Sequence, residues 1–104
     1  MNIYPSEIEN LLVKYPGIQQ AAVIGLSDEK WGEIVGVVLM PNNAKNPPEP
    51  CQIYQFCRDN LAAHKAPVKW FFVSEYPLTP SGKIQKYKLV DLIASGQLLP
   101  VESF

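Results

Sequence analysis

The sequence predicts an α+β fold: a small, mainly antiparallel three-stranded sheet with a short β-hairpin, flanked by about three helices. Three observations lead there. Two apolar runs, residues 18–26 and 34–40, face each other across a short polar loop. A third run, Lys69 to Ser74, holds Trp70, Phe71, Phe72 and Val73. Stripes at helical spacing precede, separate and follow these runs. With 104 residues, 47% apolar and 18% charged, the chain fits one small globular domain with a modest core.

The first helix is signalled by Pro5, which suits a first helical turn, and by Glu7 and Glu9 where the helix dipole favours acids. Ile8, Leu11, Leu12 and Tyr15 form its apolar stripe, and Pro16-Gly17 ends it. Ala21, Ala22, Val23 and Ile24 mark the first strand, and the β-branched run Ile34 to Met40 the second. The loop Ser27-Asp28-Glu29-Lys30-Trp31-Gly32 is short enough to predict an antiparallel pair. Pro41 to Pro50, with four prolines and three asparagines, reads as a loop. A second helix is expected from about Glu49 to Leu61, burying Ile53, Phe56, Cys57 and Leu61. After the third strand, Leu89, Leu92 and Ile93 mark a last short helix closed by Gly96. No internal repeat or low-complexity tract is visible.

Composition excludes several function classes. A net charge of −1 argues against a whole-surface nucleic-acid binder. The cations do gather in the second half, at Lys65, Lys69, Lys83, Lys86 and Lys88. Cys51 and Cys57, six positions apart on one expected helix, point to different faces and cannot bridge. His64 is the single histidine, which excludes a His-based catalytic pair or a His-rich metal site within these residues. No signal peptide and no apolar run of membrane-spanning length is seen, so a reduced, soluble, cytoplasmic domain is expected.

Three segments stand out chemically. In Leu78-Thr79-Pro80-Ser81-Gly82-Lys83-Ile84-Gln85-Lys86, proline and serine stiffen a loop, and Gly82 permits unusual backbone angles and close approach. Lys83 would then carry a charge to an anion held outside the domain, although a Gly-Lys pair is also ordinary surface. A phosphate loop of the P-loop type fails here, because Ile84 replaces the magnesium-holding hydroxyl and Pro77 the first glycine. Trp31 sits in a polar loop beside Gly32, either folded back on the sheet edge or offered as a platform for a flat ring. His64-Lys65-Ala66-Pro67 reads as a helix exit, or as an imidazole for stacking beside an ammonium for phosphate.

Taken together, these segments resemble one family. The stretches Asn2 to Glu9, Ala22 to Glu33, His64 to Pro67 and Pro77 to Ile84 are similar, in order, to the C-terminal domain of the adenylate-forming (AMP-binding) enzymes. That family includes acyl-CoA synthetases, peptide-synthetase adenylation domains and firefly-type luciferases, and the likeness is nearest to acyl- and aryl-CoA ligases of the benzoate type. The resemblance implies a two-step ligase. A carboxylic acid attacks the α-phosphate of ATP, giving an acyl-adenylate and pyrophosphate; the thiol of coenzyme A then displaces AMP. The small C-terminal domain is a lid that presents a different face for each step.

The resemblance assigns roles residue by residue. Lys83, presented by Gly82, matches the adenylation lysine, which offsets charge developing on the transferring phosphorus. Trp31 matches an aromatic position lying against the nucleotide part of CoA, and His64 one that flanks the adenine. An arginine that precedes the proline in some aryl ligases is Ala66 here; Lys65 or Lys69 is the candidate replacement. Pro77, four residues, then Gly82-Lys83 resembles a site of lysine acetylation, so an acetyltransferase and a deacetylase acting on Lys83 are expected partners. An N-terminal ATP- and acid-binding domain of the same enzyme, with Mg2+ in it, is implied upstream, Met1 being an added start. The chain is therefore expected to be a lid domain, residues 1–104, inactive alone. Two other readings stay open: a free-standing CoA-binding or regulatory module, and the lid of an adenylation domain that loads a carrier protein.

Overall fold

A computed structural model describes residues 3–104. Met1, read as an added start, and Asn2, where the first matched stretch begins, lie outside the described residues. Helix α1 (Pro5–Leu12) opens with Pro5 in its first turn and buries Ile8 and Leu12 completely. It ends at Leu12, a turn earlier than the stripe through Tyr15 predicts. Pro16 disfavours helical angles at Tyr15. The chain accordingly tightens there, with Lys14 and Tyr15 N–H bonding the carbonyls three residues back. Tyr15 still packs inward, edge-on to Phe56 at 5.3 Å.

Strands β1 (Ile18–Asp28) and β2 (Gly32–Pro41) form the expected antiparallel pair, from Ile18 opposite Pro41 to Asp28 opposite Gly32. The ladder runs further than apolar content predicts. Ser27, Asp28 and Glu33 pair through backbone groups, so only Glu29, Lys30 and Trp31 remain as the turn. Helix α2 (Pro50–Asn60) buries Ile53 and Cys57; Phe56 and Leu61, expected on the same face, are half-buried.

The α2 crossover returns the chain so that β3 (Lys69–Phe72) lies parallel to β2, with Gly36 opposite Lys69 and Leu39 opposite Phe72. Helix α3 (Lys86–Ala94) closes in a Schellman motif. Gly96 takes φ +79°, and the N–H groups of Gln97 and Gly96 bond the carbonyls of Leu92 and Ile93. A fourth strand, β4 (Glu102–Ser103), pairs antiparallel with β3. Two residues carry no periodicity, which is why the sequence does not announce it. The sheet order is β1-β2-β3-β4.

Alternation along the strands gives each sheet face its own core. Ala21, Val23, Val37, Leu39 and Trp70 pack against α1 and α2. Ala22, Ile24, Leu26, Val38 and Phe71 pack against α3 and Tyr76. Glu9 covers part of the open edge of β1: its Oε2 accepts the Val23 N–H at 2.8 Å. Among the described residues, no helix is long and apolar enough to cross a membrane.

Candidate functional site

Two features lie toward opposite ends of the sheet. The Glu29–Trp31 turn stands before β2, whereas β3, parallel to β2, runs away from it and leads toward the Lys83 loop. Helix α3 then runs back, so that Val90 and Ile93 border Leu26 and Asp28.

At the β1–β2 turn, Asp28 Oδ2 accepts the N–H groups of Lys30 (3.0 Å) and Trp31 (2.8 Å), and Gly32 takes φ +81°. This Asx arrangement fixes the backbone while the indole stays 71% exposed. Trp31 does not fold back into the sheet. Lys30 Nζ lies 5.1 Å from its ring centroid.

His64 sits on a single 3-10 turn, Ala63–Lys65, and is exposed. It borders the same groove as Trp31, a space of about 480 Å3. Ile34, Val35, Ala66 and Val68 add apolar lining, and Asp28, Glu33 and Lys69 add charge. The structure thus brings Trp31 and His64 together, 33 positions apart in sequence. Phe104 also lines this groove and stacks on Tyr54 at 4.0 Å. It escaped the sequence reading because it arrives through β4.

Lys65 behaves differently. Its Nζ pairs with Glu7 Oε1 at 2.9 Å, and it is not among the residues lining the groove. Lys69 is in the lining and makes no ion pair among the described residues.

Lys83 is carried by a hairpin closed by a single bridge between Leu78 and Ile84. Thr79-Pro80-Ser81-Gly82 is a β-turn, with Gly82 N–H donating to the Thr79 carbonyl at 2.9 Å. Proline and glycine occupy the second and fourth turn positions that favour them. Gly82 takes φ +88°, and a Cβ there would meet nothing within 4 Å. Thr79 Oγ1 accepts the Lys83 N–H at 3.0 Å, and Thr79 N–H donates to the Lys83 carbonyl at 2.8 Å. The backbone of Lys83 is thereby fixed on both sides, while its exposed side chain has no acidic partner among the described residues.

The chain's relatives agree with this architecture. Residues 7–83 match the family model of the AMP-binding enzyme C-terminal domain, and the chain belongs to that family. It is 42% identical over 85 residues to a long-chain-fatty-acid–CoA ligase of Mycobacterium tuberculosis (strain CDC 1551 / Oshkosh), covering 82% of this chain and 16% of that ligase. It is 36% identical over 92 residues to a 2-succinylbenzoate–CoA ligase of Bacillus cereus, covering 88% of this chain and 18% of that protein. Among solved structures it superposes on a Mycobacterium tuberculosis fatty acyl CoA synthetase with TM-score 0.83 at 38% identity, covering 92% of this chain and 19% of the other. The chain therefore spans less than a fifth of the length of these proteins. It corresponds to the C-terminal domain of acyl- and aryl-CoA ligases.

Proposed function

We propose that this chain is the mobile C-terminal domain of an ATP-dependent acyl- or aryl-CoA ligase, that Lys83 serves its first step, and that the Trp31–His64 groove serves its second. One observation carries the reading: an exposed lysine on a fixed backbone, with no acidic partner among the described residues, and an aromatic-sided groove lie toward opposite ends of one small sheet. A domain offering different chemistry at its two ends suits a reaction whose two steps need different faces.

In the first step two anions, a carboxylate and a triphosphate, must meet. Lys83 brings a compact charge with three donors to the oxygens where negative charge develops. The hairpin sets its direction, and Gly82 leaves room for close approach. The other half of the site, with ATP, Mg2+ and the acid pocket, belongs to an N-terminal domain of the same enzyme. In the second step the exposed Trp31 ring and His64 flank the nucleotide part of CoA, and Lys69 supplies positive charge. The groove has the volume and an exposed indole for a heterocycle, and its carboxylates at Asp28 and Glu33 disfavour phosphate on their side. Phosphate is then expected nearer Lys69. A cytoplasmic location and acetylation of Lys83, which would remove its charge and block the first step, belong to the same reading.

The test uses the full-length ligase. Lys83→Ala should abolish most acyl-adenylate formation, read as acid-dependent pyrophosphate release, and leave thioester formation from preformed acyl-adenylate intact. Unimpaired pyrophosphate release in that variant would overturn the proposal. Supplying CoA or a carrier protein bearing a phosphopantetheine thiol as acceptor identifies the second-step partner.

A further inference from the structure

The hairpin that presents Lys83 is fastened at both ends. Upstream, Tyr76 is buried and its hydroxyl donates toward the carbonyls of Val38 (2.6 Å) and Gln20 (3.1 Å). Downstream, Lys86, the first residue of α3, reaches across the edge of the sheet to Glu9 Oε2 at 2.7 Å. That same oxygen accepts the Val23 N–H at 2.8 Å. Glu9 is thus fixed to the edge of β1 before Lys86 meets it. Burial first, and the Glu9 charge second, push the Tyr76 hydroxyl above its ordinary range, which keeps it a donor.

A pair as accessible as Lys86–Glu9, with 39% and 23% of its side chains exposed, adds little to stability. What it does fix is direction. The pair sits three residues after Lys83, at the point where the hairpin becomes helix. It joins α1 on one sheet face to the start of α3 on the other. The other ties of the downstream strand are local or apolar: the Leu78–Ile84 bridge, the Thr79–Lys83 bonds, the Gln85 N–H to Pro77 carbonyl bond of 2.8 Å, and the packing of Ile84 against the core beneath α3.

We propose that Lys86 and Glu9 are positioning residues for Lys83: their ion pair holds the hairpin in the orientation from which the Lys83 ammonium reaches the transferring phosphorus. This inference rests on the assignment of Lys83 to the adenylation step.

Two measurements test it. In the 104-residue chain, Lys86→Met and Glu9→Gln should speed amide exchange at Thr79, Gly82, Lys83 and Gln85, and leave α2 unchanged. Glu9→Gln keeps an oxygen for the Val23 N–H, so it removes the pair and not the edge contact. In the full-length ligase both variants should lower kcat for adenylate formation, by up to about a hundredfold for a misplacement of about 1 Å, with KM for ATP and thioester formation unchanged. Lys86→Arg, which can still pair with Glu9, should restore the rate. An unchanged adenylation rate in Lys86→Met overturns the inference, as does an equal loss in both half-reactions or a failure of Lys86→Arg to rescue. If Lys83→Ala itself leaves adenylation intact, the assignment of Lys83 has failed, and the exchange measurement still decides whether the pair orders the hairpin.

Discussion

Lys65 Nζ lies 2.9 Å from Glu7 Oε1, which ties the turn carrying His64 to the first turn of α1. This pairing separates two lysines that look equivalent in sequence. Lys65 is engaged at the back of the turn, while Lys69 borders the groove without an acidic partner among the described residues. If Ala66 leaves the groove without an arginine, Lys69 is the cation placed to receive a phosphate. Lys69→Met should raise KM for CoA about tenfold, consistent with losing one hydrogen bond to a charged group. Lys65→Met should change it far less. Thioester formation from preformed acyl-adenylate at varied CoA checks this, and a larger effect from Lys65→Met would sink it.

Trp31 makes a second prediction because its exposure and its fixed backbone pull apart stability and binding. With 71% of its surface in solvent, the ring buries little on folding. Trp31→Ala should move unfolding free energy by no more than about 0.5 kcal/mol, as at other surface sites. Its effect on CoA should be large, since a base stacked on an aromatic ring is worth about 1–3 kcal/mol. Thermal unfolding and CoA titration of the same variant give both numbers. A destabilised variant with unchanged CoA affinity would return Trp31 to a structural role.

Residues whose function depends on local chain geometry were the most legible ones. Pro80 and Gly82 announce a turn, and the turn forms around them with Gly82 at positive φ. The apolar runs that hold Val23 and Val37 locate the first two strands, and the short loop between them predicts their antiparallel pairing. What escaped depends on distant partners. Glu9 reads as an early helical acid, yet its carboxylate is occupied by Val23 and Lys86 from two other elements. Phe104 reaches the groove only because Glu102 and Ser103 find the free edge of β3. The spacing of Tyr15 predicts helix there, and the local cost of preceding a proline overrides that spacing. The likeness of whole stretches to a family brings together Trp31, His64 and Lys83, which neither spacing nor composition connects.

Two glycines predict opposite kinds of damage. A Cβ on Gly36 would lie 2.8 Å from Leu26 Cδ1, inside the core beneath α3. Gly36→Ala should therefore destabilise by about 1–3 kcal/mol through overpacking. Gly82→Ala meets open space, so its cost is that of the left-handed backbone angles alone, about 1–2 kcal/mol. Urea denaturation should show a lower midpoint for Gly36→Ala. Gly82→Ala should lose adenylation rate out of proportion to its stability. Equal stability losses with equal activity would remove the distinction.

The alkaline limit of stability follows from two buried groups. Burial pushes the Cys57 thiol from 9.0 up to about 12, and raises the Tyr76 hydroxyl in the same direction. Both are neutral when protonated, and burial penalises the charged form. In the unfolded chain the thiol ionises near its ordinary value, so the unfolded state loses its proton first. The stabilisation is therefore complete below about pH 9 and is lost progressively toward pH 12. Urea midpoints should be flat in this respect through neutrality and fall above pH 9, and Cys57→Ala should flatten part of that fall despite its lower starting stability. Exposed Cys51 supplies an internal control. A thiol reagent near pH 8 should label Cys51 at once and Cys57 only on unfolding, because the thiolate is the reactive form. Rapid labelling of both thiols in the native protein would contradict the burial of Cys57.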